Sequence, residues 1–344
     1  MGVPESPIPS FARGLAVAAL PTISYCALVD GDAGETAKLL SVSTSEGFFY
    51  LDLQGEGEPA ATLSNVDRIY RFMRSWFNQS AETKLQSLQS NYLDGYKATG
   101  FFAGPYDGTR DAYESLKVSH KSLDAASAPL AADVQSHRGL FETYLGQANG
   151  IARQLLSSLS SAMFLTGRER FEASHETSAD SNSTLVLLRY PYVPPALRSQ
   201  TVGHNKHTDI GSITVLFTDQ WGLQVMAADT QRWEYVPPRA GCAIINVGDS
   251  LRFLSRKRLR SCLHRVVPVD GQTSDRYTIA YFLRPDNRVS FVDSNGELVT
   301  AEHWHDVKYE VFRATHDEQR RDTVLTGGLE PVDMEAPAAG LREE

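Results

Sequence analysis

The apolar positions of this 344-residue chain change their period about halfway along, and that change divides it. In the first half they recur every three and four residues, the spacing of one face of an α-helix. Ile69, Phe72, Met73, Trp76 and Phe77 form such a stripe in VDRIYRFMRSWFNQSAE. A longer one, through Leu140, Phe141, Tyr144, Leu145, Ala148, Ala152, Leu155, Leu159 and Ala162, predicts the longest helix from about Gln135 to Leu165. TAKLLSVSTSEGFFYLDL reads as a helix entering a strand. From about Leu185 the period drops to two, in SITVLFTD and TIAYFLRP, with Gly, Pro and Asp between the runs. AEHWHDVKYEVFRATHDEQ closes the pattern as a helix.

Short strands of this kind hide their edges by closing into a double-stranded β-helix, a jelly roll whose mouth admits ligands. The expected class is α+β, mainly β, with flanking helices around a cupin-like core. Residues 1–20 read as a loose arm and 326–344 as a frayed tail. Between them one domain runs from 20 to 320: a helical and strand region to 180, the jelly-roll core over 181–290, and a last helix over 300–320. Repeats of solenoid length are absent from the sequence.

Composition narrows the function. With 42% hydrophobic and 22% charged residues the chain is ordinary globular material. A net charge of −9 argues against a nucleic-acid partner, which calls for a basic surface. RKRLR at 256–260 is too short to reverse that and reads as a solvated hairpin. Cys26, Cys242 and Cys262 make neither a CxxC nor an even set, so no zinc ribbon or disulfide frame is expected. No apolar run approaches a membrane span, and the start lacks a signal-peptide pattern. Gly2 and Ser6 match only the bare myristoylation pattern. A cytoplasmic protein without a membrane partner is the expectation, and oligomeric state is not legible.

The candidate chemistry lies in the strand-rich half. His207-Thr208-Asp209 and a later His264 supply two imidazoles and one carboxylate, the donor set that holds non-haem Fe(II) and leaves coordination positions open. On an extended strand His207 and Asp209 would share a face, with His264 arriving from another strand. Beyond them, Arg276 and Thr278 share a face in RYTIAYFLRP, and a guanidinium beside a hydroxyl suits a carboxylate. His204 reads as a loop residue before the ligand strand. His303 and His305 are two apart on a helix, where they do not share a face, so no metal is expected there. GEGEP at 55–59 lacks the third glycine and the following helix of a dinucleotide loop, and no GxSxG, HExxH or phosphate loop occurs.

The segment RYPYVPPALRSQTVGHNKHTDIGSITVLFTDQWGLQV, then NVGDSLRFLSRKRLRSCLHRVVPV and DRYTIAYFLRP, resembles the core of the Fe(II)/2-oxoglutarate-dependent oxygenases of the isopenicillin N synthase-like group. LPTISYCAL, EGFFYLDLQG, GYKATG and DAYESLKVS extend the likeness to about residues 20–320. The resemblance implies iron ligation by His207, Asp209 and His264, with Arg276 on the distal carboxylate of 2-oxoglutarate and Tyr190 also reaching it. It further implies a dioxygenase that consumes O2 and 2-oxoglutarate while hydroxylating, desaturating or cyclising a small organic molecule, in natural-product biosynthesis. Thr278 departs from the serine usual in the family's Arg-x-Ser, keeping the hydroxyl with a more restricted rotamer. Some family members use this arginine for a substrate acid. Two other readings therefore stand beside the first: an Fe(II) oxidase of the same fold without 2-oxoglutarate, and a non-catalytic jelly-roll binding protein. The aromatic FFAGPY loop suits an apolar or aromatic substrate, with an amino acid or peptide also open.

Overall fold

The computed structural model of this chain describes residues 9–88, 93–123, 132–194 and 203–329. Twelve strands make two facing sheets: β1 (Thr22–Ser24), β2 (Phe48–Asp52), β3 (Gly95–Lys97), β4 (Glu114–Ser119), β5 (Thr184–Tyr190), β6 (His204–His207), β7 (Ile213–Thr218), β8 (Leu223–Met226), β9 (Trp233–Tyr235), β10 (Cys242–Val247), β11 (His264–Val266) and β12 (Arg276–Leu283). The larger has the order β1-β2-β10-β7-β12-β5-β4-β3 and the smaller β6-β11-β8-β9. A hairpin of Ser290–Val292 and Leu298–Thr300 stands apart. Several sheet neighbours are far apart in the chain, among them β6 and β11, which lie antiparallel. The expected α+β class with a jelly-roll core is what forms.

Strand β12 shows how two-fold alternation builds two cores. It lies between β5 and β7, with Ile279 opposite Leu187 and Phe217. Ile279, Tyr281 and Leu283 point outward into a core shared with the helices, whereas Ala280 joins Val186, Leu188 and Tyr190 inside the barrel. Both faces bury side chains, so β5 and β10 read as near-continuous apolar runs instead of alternating ones.

The helix Arg138–Ala162 packs its predicted stripe on the outer face, with Leu145, Ala152, Leu155 and Leu159 fully buried. The helix Glu58–Phe77 lies beside it, starting earlier than its stripe implied because Gly57 (φ 73°) turns the chain and Pro59 stands in its first turn. A helix therefore does follow GEGEP, which corrects that part of the expectation; the third glycine is still lacking. Leu155→Ala should cost about 2–5 kcal/mol, the range for cavities left by large-to-small changes in a close-packed core. Urea unfolding followed by circular dichroism would check it, and a loss below ~1 kcal/mol would mean the site relaxes freely.

Three expectations change. The described part of the 1–20 arm, residues 9–20, is held in place: Ala12 is buried against Trp221 and Val269, and Ala16 and Ala18 exchange backbone hydrogen bonds with Tyr235. Gly2, Ser6 and most of the 326–344 tail lie outside the described residues. RKRLR forms no hairpin; it follows the short helix Asp249–Leu254 as an exposed turn with positive φ at Arg256 and Lys257 and with Leu259 buried. The last helix is two pieces, Ala301–Arg313 and His316–Gln319, because Thr315 caps the second in a reciprocal box with Glu318. Among the described residues no helix is long and apolar enough to cross a membrane.

Candidate active site

The small sheet places the candidate ligands. β6 ends at His207 directly opposite His264 on β11, and the two rings lie 4.2 Å apart. Asp209 is not on the strand with His207, as the two-residue spacing had suggested, but two residues past its end. The close backbone packing that turns it inward needs glycines. A Cβ on Gly248 would stand 2.2 Å from the Gly211 carbonyl and 3.1 Å from that of Asp209, and before β6 one on Gly203 would stand 1.7 Å from the Val266 carbonyl of β11.

Each ligand has one atom committed elsewhere and one left for the centre. His207 Nδ1 pairs with the Asn205 carbonyl at 2.8 Å and His264 Nδ1 with that of Cys262 at 3.2 Å, which makes both Nδ1 atoms the proton-bearing ones. Both Nε2 atoms then face Asp209 Oδ1, at 3.6 and 3.5 Å. Its other oxygen, Oδ2, accepts from Thr214 Oγ1 at 2.5 Å and from Asn246 Nδ2 at 2.7 Å. Thr214 and Asn246 are cross-strand partners on β7 and β10, so the large sheet orients the ligand borne by the small one. Burial, with His264 close by, lowers the basicity of His207 and keeps its imidazole neutral. Burial alone would raise the Asp209 carboxyl, but His264 and His207 hold it well below the usual carboxylate range. Two imidazoles and a carboxylate, with donor atoms all within 4.8 Å of one another, fit a divalent iron.

Residues without an obvious chemical motif hold this loop. Thr208 Oγ1 donates to Asp249 Oδ2 at 2.9 Å and accepts from Lys308 Nζ at 2.6 Å, while Lys308 and Asp249 form a fully buried ion pair. Ser261 donates to the other Asp249 oxygen, and the Asp249 N–H donates to the Asp209 carbonyl. The sequence signals were polar residues inside apolar runs, Asn246 in CAIINV and Lys308 on a helix, which are costly unless paired. His204 is also placed differently from expectation. It is the first residue of β6, stacked on His207 at 4.6 Å, with Tyr113 and Tyr190 hydroxyls each 3.4 Å from its ring nitrogens.

Arg276 is the first residue of β12, opposite Tyr190 on β5. It is buried, and its Nε donates to the Gln220 carbonyl at 3.2 Å. Neither terminal nitrogen has a hydrogen-bond partner among the described residues. An unanswered buried guanidinium is costly, and this one lines a cavity with Tyr190, Trp221 and Val266. The Tyr190 ring is 4.9 Å from its central carbon. The arrangement suits the far carboxylate of a bound diacid. Thr278 sits two residues along, buried, with its hydroxyl 3.5 Å from that of Thr218. It is not part of that cavity's lining. His303 is exposed and His305 is buried beside Asp306. Cys242 and Cys262 are buried thiols.

With this geometry in view, the likenesses agree. Residues 182–285 match the 2OG-Fe(II) oxygenase superfamily. The chain is 42% identical over 312 residues to the 2-oxoglutarate-dependent dioxygenase frbH of a Dothideomycetidae species, covering 90% of this chain and 96% of that one. It is 40% identical over 336 residues to the oxidoreductase vrtI of Penicillium aethiopicum, covering 96% and 79%. In fold it is similar to a full-length Neurospora crassa protein solved in complex with alpha-KG and thymine, at a TM-score of 0.70 and 22% identity over 84% of this chain and 97% of that one. Relatives about two-fifths identical and matched over most of their own length place this chain in the 2OG-Fe(II) oxygenase superfamily, among its 2-oxoglutarate-dependent dioxygenases.

Proposed function

We propose that His207, Asp209 and His264 hold the ferrous ion and that Arg276, with Tyr190 and Thr278 beside it, anchors 2-oxoglutarate, for oxidation of a small organic molecule in natural-product biosynthesis. The observation that carries the co-substrate assignment is the pair of unpartnered Arg276 nitrogens, buried at the end of β12. When bound, iron and 2-oxoglutarate supply O2-dependent oxidation with release of succinate and CO2. The chain's own part is to bind and shield. Thr214 and Asn246 hold Asp209 with Oδ1 free, and the Asn205 and Cys262 carbonyls hold both imidazoles with Nε2 free. Tyr309 and Phe312 on the last helix, and Phe102 and Tyr113 from the amino-terminal region, enclose the cavity that reaches His207 and Asp209. That cavity, walled largely by aromatic side chains, supports a small molecule as substrate.

The test is anaerobic titration of the Fe(II)-loaded protein with 2-oxoglutarate, read by the visible charge-transfer band of a chelated 2-oxo acid. Arg276→Leu should keep the band but weaken 2-oxoglutarate by about 100-fold or more, since it removes two charge-assisted hydrogen bonds. Unchanged affinity in Arg276→Leu would remove the anchor. No band in the iron-loaded wild type would favour oxidation without 2-oxoglutarate.

A further inference from the structure

The cavity beside His207 and Asp209 contains cations that the proposed iron and co-substrate sites do not use. Arg284 follows β12 directly and lies one alternation beyond Phe282 on its inner face. It is buried, donates through one terminal nitrogen to the Asn182 carbonyl, and leaves Nε without a partner. Among the described residues no carboxylate forms an ion pair with it. By contrast Arg189 pairs with Glu114 and Asp275, and Arg252 has Asp249 at 4.0 Å.

Two residues of β4 face the same space. Ser115 Oγ is buried without a hydrogen-bond partner among the described residues, and Lys117 lies with its ammonium 4.4 Å from the centre of the Tyr309 ring. Ser115 and Lys117 stand opposite Leu188 and Val186 on β5, and those stand opposite Thr278 and Ala280 on β12. The β12 inner face therefore carries a guanidinium at each end, with Thr278, Ala280 and Phe282 between. Arg276 opens on the cavity with Tyr190 and Trp221, and Arg284 on the one with His207 and Asp209. One 2-oxoglutarate cannot answer both. Burial pushes Lys117 down to about 7 and Arg284 down to about 10, a cost that a bound anion would relieve. The remaining walls, Phe102, Tyr113, Phe282 and Phe312, are aromatic.

We propose that the substrate is an apolar or aromatic organic acid, its carboxylate on Arg284 and Lys117, a hydrogen-bonding edge at Ser115 and its body against Phe102, Tyr113 and Phe312. This rests on the reading of His207 and Asp209 as iron ligands, because it is they that make this cavity the place of oxidation. The carboxylate fixes which carbon is presented to them, and a neutral analogue would leave the buried Arg284 guanidinium with only Asp209, itself a proposed iron ligand, as counter-charge.

The experiment measures binding by calorimetry to protein carrying Mn(II) and 2-oxoglutarate, with cinnamate, phenylacetate and indole-3-acetate each paired with its methyl ester. At least one acid should bind about 10-fold or more tightly than its ester, the worth of a charge-assisted hydrogen bond. In Arg284→Gln that ratio should fall to near one while 2-oxoglutarate affinity stays as in wild type. The proposal is overturned if no acid outbinds its ester, if the preference survives Arg284→Gln, or if that variant loses 2-oxoglutarate instead. Should Arg284→Gln fail to fold by circular dichroism, Lys117→Gln takes its place: a reduced ratio supports the proposal and an unchanged one overturns it. Failure of wild-type protein with Mn(II) to bind 2-oxoglutarate would instead strike the co-substrate reading, and the acid-to-ester ratio measured without 2-oxoglutarate would still decide this one.

Discussion

Asp209→Ala protein is expected to retain its fold and to produce succinate at less than about one-thousandth of the wild-type rate, since a metal site that loses a ligand loses its ion or its open geometry. The same is expected of His207→Ala. Oδ1 of Asp209 is the atom both imidazole Nε2 groups face, at 3.6 and 3.5 Å, so its removal leaves two imidazoles and no carboxylate to offset a dication. Thr214 and Asn246 also lose their acceptor. That costs about 1–3 kcal/mol of stability for buried groups left unsatisfied, which a domain of this size can tolerate. Metal content after anaerobic loading and succinate release should fall together. If Asp209→Ala kept a tenth of wild-type turnover with full iron, the carboxylate would not be a ligand.

The largest effect on stability should come from Lys308→Met, at roughly 3–5 kcal/mol, because it leaves the Asp249 carboxylate buried without its partner. Both side chains are completely buried, and Thr208, between two proposed iron ligands, is hydrogen-bonded to each. Arg252 at 4.0 Å offsets part of the loss. The double variant Lys308→Met with Asp249→Leu should recover some of it, since removing both charges is cheaper than stranding one. Urea midpoints of the four proteins make the cycle. A double variant no more stable than Lys308→Met would show that the network matters through packing and hydrogen bonds, not through the ion pair. Iron retention is a second readout. The pair holds the Thr208 turn, so Lys308→Met should bind iron more weakly even where it remains folded.

Much of this protein could be read from residue patterns because local rules agree with the fold there. The stripes from Ile69 to Phe77 and from Leu140 to Ala162 became helices because an apolar face of that period has to be buried. The alternation of RYTIAYFLRP placed Arg276, Thr278, Ala280 and Phe282 on one face, and β12 forms with Ala280 in the barrel and Ile279 and Tyr281 outside. The donor types at 207, 209 and 264 were legible for a chemical reason: few other uses bring two histidines and an acid together in ordered motifs.

Long-range packing decided the rest. Nothing local to HTD shows that β6 ends at His207, or that Asp209 turns inward only after it, held by Thr214 and Asn246 from the opposite sheet. Residues 9–20 look loose by composition and are fastened by Tyr235 and Trp221, from the far half of the chain. His204 looked like a loop residue and lies against His207, because β6 begins earlier than the chain's punctuation implies. Whether a buried charge is paired is likewise a property of space and not of neighbours in the chain. Lys308 meets Asp249, whereas Arg276 and Arg284 form no ion pair with a carboxylate among the described residues. Side-chain period and donor chemistry act over a few residues and survive in the sequence; register, burial and the partner of each charge are set by segments far apart, and only the folded chain settles them.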